Sequence, residues 1–374
     1  WTASARSLAQ IEDYLRSEVM PLYGNTHTTT SITGHQSTCF RHEARQIVAQ
    51  AVNAKITGKA AEDVVIFTGN GTTNCIDKLV SALGLNAPVP EGFDAEEYRP
   101  VVFTSSYEHH SNLLPWRESC AEVVTVAYHA STGVDLDHLD HLLQQYRSRR
   151  VKIGAMSAAS NVTGICTDVD AVCIALHAAG ALAFFDYATA APYIQMDMNP
   201  LAKGAHKDAI YFSGHKFLGG PGAPGVLIAK RTVMPSVSEM PSVSGGGTVF
   251  YVTKTGHRYL SNREEGGEGG TPDILGDIRL GLVVQVKESF GSRWVESEEL
   301  RISQYIQQRL EDQAPNMHIM GRLPLASSGS SKHLPIFSFL IRCGSRFLHH
   351  NFVCALLNDL FGVQSRGGCQ CAGP

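Results

Sequence analysis

The stretch FFDYATAAPYIQMDMN, residues 184–199, begins as an apolar run and continues directly into an acid, Asp186. A second apolar run, AIYFSGHKFLGG at residues 209–220, leads to a lysine, Lys216. Short apolar runs bounded by turn residues are typical of buried strands. The two stretches therefore place opposite charges at the ends of two buried strands, where each charge needs a partner.

Strands and helices alternate around these two stretches. Apolar and β-branched runs predict seven strands, at 64–67, 101–104, 123–128, 151–156, 181–185, 209–212 and 225–229. The alternation with helical patterns predicts an α/β fold with a mostly parallel sheet flanked by helices. Ligands of such sheets bind at the C-terminal ends of the strands. Eight polar residues follow strands there: Thr72, Thr73, His109, Asn161, Asp186, Ser213, His215 and Lys216.

The pattern changes beyond the seventh strand. Residues 240–272 are rich in glycine and polar residues and predict a long loop. Two amphipathic helical patterns follow, at 274–290 and 295–312. We predict a large domain at 1–290, which includes an N-terminal helical segment and this loop, and a smaller C-terminal α/β domain at 291–374. The absence of an initial Met and the ending CQCAGP suggest a chain cut from a longer protein, with the small domain truncated.

Composition excludes several classes of partner. Apolar residues make up 43% and charged residues 18% of the chain, as in soluble globular proteins. A net charge of −4 provides no basic field for nucleic acid. No apolar run reaches about 18 residues, so no membrane span is expected. Nine scattered cysteines predict reduced thiols and a cytoplasmic location, with organelle targeting left open because the N-terminus looks clipped.

Asp186 and Lys216 together suit pyridoxal phosphate. A desolvated lysine amine is a nucleophile toward carbonyl groups, and the cofactor aldehyde forms a Schiff base with such an amine. The protonated ring nitrogen of the cofactor would pair with the buried acid. The alternative is that the two residues form a structural ion pair or are unrelated, and for the pair alone that alternative is favoured.

A candidate phosphate site favours the cofactor interpretation over a structural ion pair. GNGTTNC, residues 69–75, lies between a strand and a helix, where free N–H groups and a positive dipole end attract anions. Thr72 and Thr73 add hydroxyl donors, and Ser213 and His215 can also bind phosphate. The alternative for the glycine and threonine residues is an ordinary turn and helix cap. GGTPD, residues 269–273, is a second turn at a helix start and has the same alternative.

His109 in YEHHSN could stack on a pyridine ring, although a single loop histidine is more often structural. No metal site is predicted, because no close pair of histidines or cysteines has zinc-ligand spacing with partners nearby.

Six segments resemble, in order, those of fold-type I class V aminotransferases, and in particular the cysteine desulfurase and selenocysteine lyase branch. They are ASNVTG (159–164), FFDYATA (184–190), FSGHKFLGGPGAPGVL (212–227), SGGG (244–247), EGGTPD (268–273) and RGGCQCAGP (366–374). The resemblance covers most of the chain, and the SGHK segment with the upstream aspartate is its most specific part. It implies a fold-type I pyridoxal-phosphate enzyme that acts on a small amino acid.

The resemblance also implies roles for individual residues. Lys216 would be the Schiff-base lysine, Asp186 the partner of the ring nitrogen and His109 the stacking ring. Thr73, Ser213 and His215 would bind the phosphate, and Thr271 would reach the phosphate of the other subunit of a homodimer. Asn161 would lie near the cofactor and the substrate carboxylate, and Arg366 beside the substrate. Cys371 would carry the sulfur as a persulfide and pass it to an acceptor, which could be a protein.

Three positions depart from the pattern of the family. Thr189 replaces the glutamine that usually bonds the cofactor phenolate, and Cys369-Gln370 replaces a His-His pair. The arginine that binds the substrate carboxylate lies beyond Cys371 in relatives and is absent from this sequence. We therefore expect a cysteine desulfurase and keep two alternatives open. One is a transaminase, epimerase or C–S lyase without a cysteine nucleophile, and the other is a catalytically silent scaffold.

Overall fold

A computed structural model describes residues 3–28, 30–59, 61–88, 95–234, 243–325 and 332–372. Its α-helices are α1 (Ala9–Tyr14), α2 (Ile32–Ala51), α3 (Gly71–Ala82), α4 (Ala95–Tyr98), α5 (Leu114–Arg117), α6 (Leu136–Gln145), α7 (Val169–Ala178), α8 (Arg263–Gly266), α9 (Ile274–Phe290), α10 (Ser292–Gln313) and α11 (His350–Phe361). A π-helix, Leu15–Val19, and 3-10 turns at Met20–Leu22, His110–Asn112 and Gly214–Lys216 complete the helical elements of this part of the chain.

The strands are β1 (Asp63–Thr68), β2 (Val101–Ser105), β3 (Glu122–Val126), β4 (Tyr128–His129), β5 (Gly133–Val134), β6 (Lys152–Ser157), β7 (Leu182–Asp186), β8 (Ala209–Ser213), β9 (Gly225–Lys230), β10 (Val249–Val252), β11 (His257–Tyr259), β12 (Met317–Ile319), β13 (Phe339–Cys343) and β14 (Arg346–Phe347). Seven of them form one sheet in the order β1-β9-β8-β7-β6-β2-β3. β9 runs antiparallel to both of its neighbours, and the other pairs are parallel. The predicted mostly parallel seven-stranded sheet is confirmed.

Both faces of this sheet are buried, as the continuous apolar strands require. Successive side chains of a strand point to opposite faces. Phe185 and Phe212 therefore belong to one core, whereas Phe184 and Tyr211 belong to the core on the other face. This packing fixes the strand register and so fixes where Asp186 and Ser213 leave the sheet.

The structure corrects two local expectations. The sequence pattern predicts a helix at 43–56, but α2 begins at Ile32 and ends at Ala51. α2 packs along α9: the Arg41 guanidinium, at the end of its polar first half, donates to Asp277 at 2.6 Å, and in its second half a Cβ on Gly281 would approach the Ala44 Cβ to 2.9 Å. The predicted loop at 240–272 contains the β10–β11 hairpin and α8, and its residues 240–242 lie outside the described part of the chain.

Beyond α9, the chain forms α10, the small antiparallel sheet β12-β13-β14 and α11. The division into two domains at about residue 290 stays a prediction. No helix in the described ranges is long and apolar enough to cross a membrane.

Candidate active site

A cavity of about 260 Å³ opens at the C-terminal ends of β7 and β8. Nine predicted cofactor residues line it, together with Arg366: Thr72, Thr73, His109, Asn161, Asp186, Thr189, Ser213, His215 and Lys216. Ala3, Asn70, Ser111, Ser157, Ala159 and Ala188 complete the lining. Residues as far apart in sequence as Ala3 and Arg366 thus meet in one place, at the strand ends where ligands of such sheets bind.

Asp186 is the last residue of β7 and is 4% exposed. Its Oδ1 accepts a hydrogen bond from the Ala188 N–H at 2.7 Å. Burial raises the pKa of the carboxyl to about 6, against the opposing influence of that hydrogen bond and of the Lys216 charge. A buried carboxylate that lines a cavity with so little compensation is suited to a cationic ligand.

Lys216 ends the 3-10 turn that follows β8 directly. Burial lowers the pKa of its amine, and the charge of Asp186 acts in the opposite direction. A lowered pKa increases the neutral, nucleophilic fraction of an amine. Two adjacent parallel strands thus bring an acid and an activated amine to the same cavity. A ligand in that cavity could supply the partner that each buried charge needs.

The N-terminus of α3 forms the polar end of the cavity. The Thr72 N–H donates to Ser213 Oγ at 3.1 Å, which ties the helix to the end of β8. Gly71 has φ +63°, and a Cβ there would lie 2.6 Å from Ser213 Oγ. Only glycine fits this approach without displacing the serine. The Thr73 hydroxyl donates to Ser111 Oγ at 2.9 Å, so the hydroxyls of Thr73, Ser111 and Ser213 cluster where an anion would bind.

The N-terminal segment packs beneath the lysine turn. The His215 carbonyl accepts hydrogen bonds from the Ala5 N–H and the Ser4 hydroxyl, each at 3.1 Å. The Gly219 N–H donates to the Arg6 carbonyl at 2.7 Å. Burial, followed by the charge of Lys216, lowers the pKa of the His215 imidazole. These contacts tie residues 215–219 to the N-terminal segment.

His109 lies across the cavity on the loop after β2. Burial lowers the pKa of its imidazole to about 4, and the positive charges of Lys216, His110 and Arg366 add to this effect. Its Nδ1 accepts a hydrogen bond from the Ser111 N–H at 3.1 Å, which fixes the ring orientation. The ring is neutral at physiological pH, as stacking on a cationic pyridine ring requires.

Glu108, immediately before His109, is a site residue that the sequence reasoning missed. It is 2% exposed, and its carboxylate accepts from Asn112 Nδ2 (2.6 Å), the Ser157 hydroxyl (2.6 Å), the Ser157 N–H (2.9 Å) and the Ser105 hydroxyl and N–H. Burial raises its pKa to about 7 despite these donors. Asn112 in turn accepts from the Tyr211 hydroxyl at 2.6 Å. This network ties the His109 loop to the end of β6.

The C-terminal segment reaches the opposite wall of the cavity. Asn161 Nδ2 donates to the Gln370 carbonyl at 2.9 Å, and the His110 N–H donates to the Cys371 carbonyl at 2.7 Å. Arg366 Nη2 lies 3.5 Å from Cys371 Sγ. The structure therefore places Cys371 beside a guanidinium that lines the cavity, and the predicted roles of both residues stay predictions.

Two predicted residues differ in their surroundings. Thr189 is buried and lines the cavity, although its side chain is shorter than the glutamine common at that position. Thr271 lies elsewhere, at a second cavity of about 520 Å³ that is also lined by Gly69, Lys78 and Glu268. Within one chain Thr271 does not meet the cavity of Lys216, so its predicted role depends on a second subunit.

Similarity to a known protein family extends over the whole chain. The sequence profile described as aminotransferase class-V matches residues 1–374. The chain belongs to the class-V aminotransferase family. The cavity, the lysine turn and the flanking acid of this chain lie on segments that resemble that family.

Curated relatives of this chain are described as cysteine desulfurases. The cysteine desulfurase CsdA of Escherichia coli K12 is 29% identical over 363 residues, covering 94% of this chain and 78% of that protein. A probable cysteine desulfurase of Streptomyces coelicolor is 25% identical over 376 residues, covering the whole of this chain and 82% of that protein.

Solved structures establish the fold independently. The apo cysteine desulfurase of Thermococcus onnurineus matches with a TM-score of 0.79 at 23% identity, over 99% of this chain and 84% of that one. The E. coli CsdA structure matches with a TM-score of 0.76 at 23% identity and the same coverage. The predicted fold type is therefore confirmed.

One further cluster was not anticipated from the sequence. His177, His206 and Asp208 bring potential metal-ligand atoms within 4.8 Å of one another. The two imidazoles stack at 4.1 Å and 16°, so their in-plane lone pairs run side by side and do not converge on one ion. Both nitrogens of His177 already face oxygen atoms, of Gly204 at 2.7 Å and of Asp208 at 2.9 Å. We assign this cluster to packing, and the predicted lack of a metal site stays a prediction.

Proposed function

We propose that this enzyme is a pyridoxal-phosphate-dependent cysteine desulfurase, which converts L-cysteine to L-alanine and leaves the sulfur as a persulfide on Cys371. The observation that carries the proposal is the convergence of Lys216, Asp186 and the Arg366–Cys371 contact around one cavity. The names of the relatives support the same activity.

The residues of the cavity fit the cofactor. A buried, weakly compensated carboxylate suits a protonated ring nitrogen, and a buried lysine of lowered pKa suits an aldehyde. The helix N-terminus with Thr72, Thr73, Ser213 and His215 suits a phosphate group. When bound, the cofactor would supply an electron sink for charge that develops at the substrate α-carbon.

Lys216 is proposed to move the proton of the substrate α-carbon. Its lowered pKa increases the neutral fraction of the amine, and the neutral amine can accept that proton and return it. Asp186 would hold the positive charge of the ring nitrogen, and the neutral His109 would stack on the ring face. Asn161 and Arg366 would orient the substrate from the opposite wall.

Cys371 is proposed to take the sulfur atom. Its thiolate would attack the substrate sulfur, so that an S–S bond forms as the substrate C–S bond breaks. The electron pair of the broken bond stays with the carbon, which takes up a proton and becomes the methyl group of alanine. Arg366 Nη2, 3.5 Å from Sγ, is placed to pair with the thiolate before the attack.

Several broader expectations belong to the same proposal. Thr271 would complete the phosphate site of a second subunit in a homodimer. The persulfide would pass to a sulfur acceptor. All nine cysteines are unpaired, which supports a reducing, cytoplasmic compartment.

Product analysis tests the proposal. Purified protein supplied with pyridoxal phosphate, L-cysteine and a reducing thiol should form alanine and sulfide in equal amounts, with no pyruvate. The Cys371→Ser variant should lose alanine formation from cysteine while it keeps the bound cofactor. Pyruvate and ammonia as products, or equal sulfide release by Cys371→Ser, would replace the desulfurase with a C–S lyase.

A further inference from the structure

Residues 369–372 form a strained turn at the mouth of the cavity. The Ala372 N–H donates to the Cys369 carbonyl at 3.1 Å, and the two central residues, Gln370 and Cys371, have φ values of 58° and 54°. Positive φ at both central positions defines a type I′ turn, which normally carries glycine or asparagine. Left-handed backbone is unfavourable for residues other than glycine, because the Cβ comes too close to the following carbonyl oxygen. Such strain persists only where the surroundings impose the conformation.

The surroundings that impose the turn are walls of the cavity. The carbonyls of Gln370 and Cys371 accept from Asn161 and from the His110 N–H, and Ala372 forms a β-bridge with His109. The Gln370 side chain donates to the Arg366 carbonyl at 3.0 Å. Contacts with Asn161, His109 and His110 thus fix one side of the turn to the cavity wall and set the backbone conformation of the turn.

The turn places its two thiols in different environments. Cys371 is half-buried and has its Sγ beside the Arg366 guanidinium, whereas Cys369 is exposed. The two residues occupy the first and third positions of the turn. Two peptide steps of about 3.8 Å limit their Cα separation to less than about 7.6 Å, and the bend shortens it further. This short Cα separation makes Cys369 the nearest cysteine in sequence that could accept sulfur from Cys371.

We infer that Cys369 is a second sulfur carrier, which takes the sulfane sulfur from the Cys371 persulfide and presents it to acceptors at the surface. This inference rests on the proposed function. The Cys369 thiolate attacks the terminal sulfur of the persulfide; a new S–S bond forms at Cys369 as the S–S bond at Cys371 breaks. Cys371 leaves as a thiolate beside Arg366, so the transfer needs no oxidant or reductant.

Attack on the inner sulfur of the persulfide is the competing step. It would join Cys369 to Cys371 directly and expel hydrosulfide. The resulting ring spans two cysteines separated by one residue and is strained. It would also leave an oxidised enzyme that a thiol must reduce before the next turnover. The exposed position of Cys369 instead favours delivery of the sulfur to an acceptor.

Site-resolved mapping of the sulfane sulfur tests this inference. The cofactor-loaded full chain is mixed with L-cysteine, quenched at intervals with an alkylating reagent and cleaved after Arg366. Fragmentation of the peptide that begins at Gly367 then distinguishes sulfur on Cys371 from sulfur on Cys369. We expect the label on Cys371 first and on Cys369 later. Cys371→Ser should leave Cys369 unlabelled, because the relay requires the first carrier.

Turnover measurements provide the second readout. Cys369→Ser should keep formation of about one alanine per subunit but should slow steady-state turnover with an external thiol about tenfold, since an intramolecular acceptor is lost. Cys343→Ser, which removes an exposed thiol on β13, is the matched control and should behave as wild type.

Three results would overturn the relay. If alanine forms but the sulfane sulfur never reaches Cys369, the relay is wrong while the desulfurase proposal stands. A Cys369–Cys371 disulfide as the only product at Cys369 would replace the relay with the competing attack. If no variant and no wild-type sample forms alanine from cysteine, the proposed function fails and the relay fails with it.

Discussion

Two groups of buried charges in this protein are built in opposite ways. Beneath the loop that carries Thr271, Arg41 and Arg45 of α2 meet Glu268 and Asp277. Arg41 lies 2.6 Å from both carboxylates, and Arg45 lies 2.9 Å from Glu268. The Phe67 N–H also donates to Glu268 at 2.7 Å. Burial opposes the charge on Arg41, but the two carboxylates outweigh it and raise the guanidinium pKa.

In the cavity, Asp186 is buried to a similar depth and Lys216 somewhat less deeply, and the two have far less compensation. One hydrogen bond from Ala188 supports the Asp186 carboxylate. Burial shifts the pKa of each group toward its neutral form. Burial also raises the pKa of Asp277 to about 7, so the two groups differ in their partners: Asp277 has a guanidinium at 2.6 Å, and among the described residues no ion pair within 4 Å is formed by Asp186. The first group is complete within the chain and fixes α2, β1, α9 and the Gly267–Gly269 segment together. In the second group, Asp186 and Lys216 lack close charged partners within the described part of the chain, as is common in ligand-binding sites.

Among substitutions in the two groups of buried charges, the largest expected loss of turnover is at Lys216. Lys216→Ala should lower turnover about 10⁴-fold, because the proton acceptor is lost while the fold remains. Borohydride should no longer fix the cofactor to the protein. Lys287→Met is the matched control, since Lys287 is also buried, donates to the Ile194 carbonyl and lies outside the cavity. Reduced cofactor found on another lysine would contradict the assignment.

Asp186→Asn should have opposite effects on catalysis and stability. Turnover should fall by about two to three orders of magnitude, because the charge that holds the ring nitrogen is removed. Without cofactor, the variant should be about 2–3 kcal/mol more stable than wild type at pH 7, because the folded-state pKa of about 6 lies above the ordinary value.

The pH dependence fixes the sign of that stability effect. Between pH 4 and 6 the folded wild type binds more protons at Asp186 than the unfolded chain does, so its stability decreases as the pH rises. The advantage of the variant should therefore be full above pH 6 and vanish toward pH 4. Urea unfolding at several pH values measures it. A variant that is less stable at pH 7 would show that the carboxylate is well compensated.

Glu268→Gln should only destabilise. Neutralising Glu268 leaves Arg41 and Arg45 with unbalanced buried charge, which typically costs about 3–5 kcal/mol. Thermal and urea unfolding would measure this loss. Glu298→Gln, which removes an exposed partner of Arg301, is the control and should cost less than about 1 kcal/mol. Equal effects of the two substitutions would remove the distinction between the groups.

Much of the site could be predicted because strand ends are set by local sequence. The apolar runs before Asp186 and Ser213 define β7 and β8 to within a residue, and the parallel arrangement brings their ends together. Glu108 could not be predicted in this way. A glutamate in a polar loop is normally solvent-exposed, and only the folded chain supplies the donors of Ser105, Asn112 and Ser157.

The errors in the fold have a similar origin. The first half of α2 contains Gly34 and several β-branched residues, which disfavour a helix when considered alone. Its contacts with α9 are distant in sequence and outweigh that preference. The β10–β11 hairpin lacks a core, with Phe250 72% exposed, so it shows little of the burial pattern that strands usually carry.

The loop that carries Asn161 is bonded to the chain just before β13. The Cys166 and Leu334 amides donate to the carbonyls of Lys332 and Gly164, and a Cβ on Gly164 would lie 2.6 Å from the Leu334 carbonyl. These amides exchange with solvent only when the two segments separate. A ligand that restrains Asn161 would disfavour that separation, so we expect occupancy of the cavity to slow amide exchange at Leu334, far along the chain from the lysine.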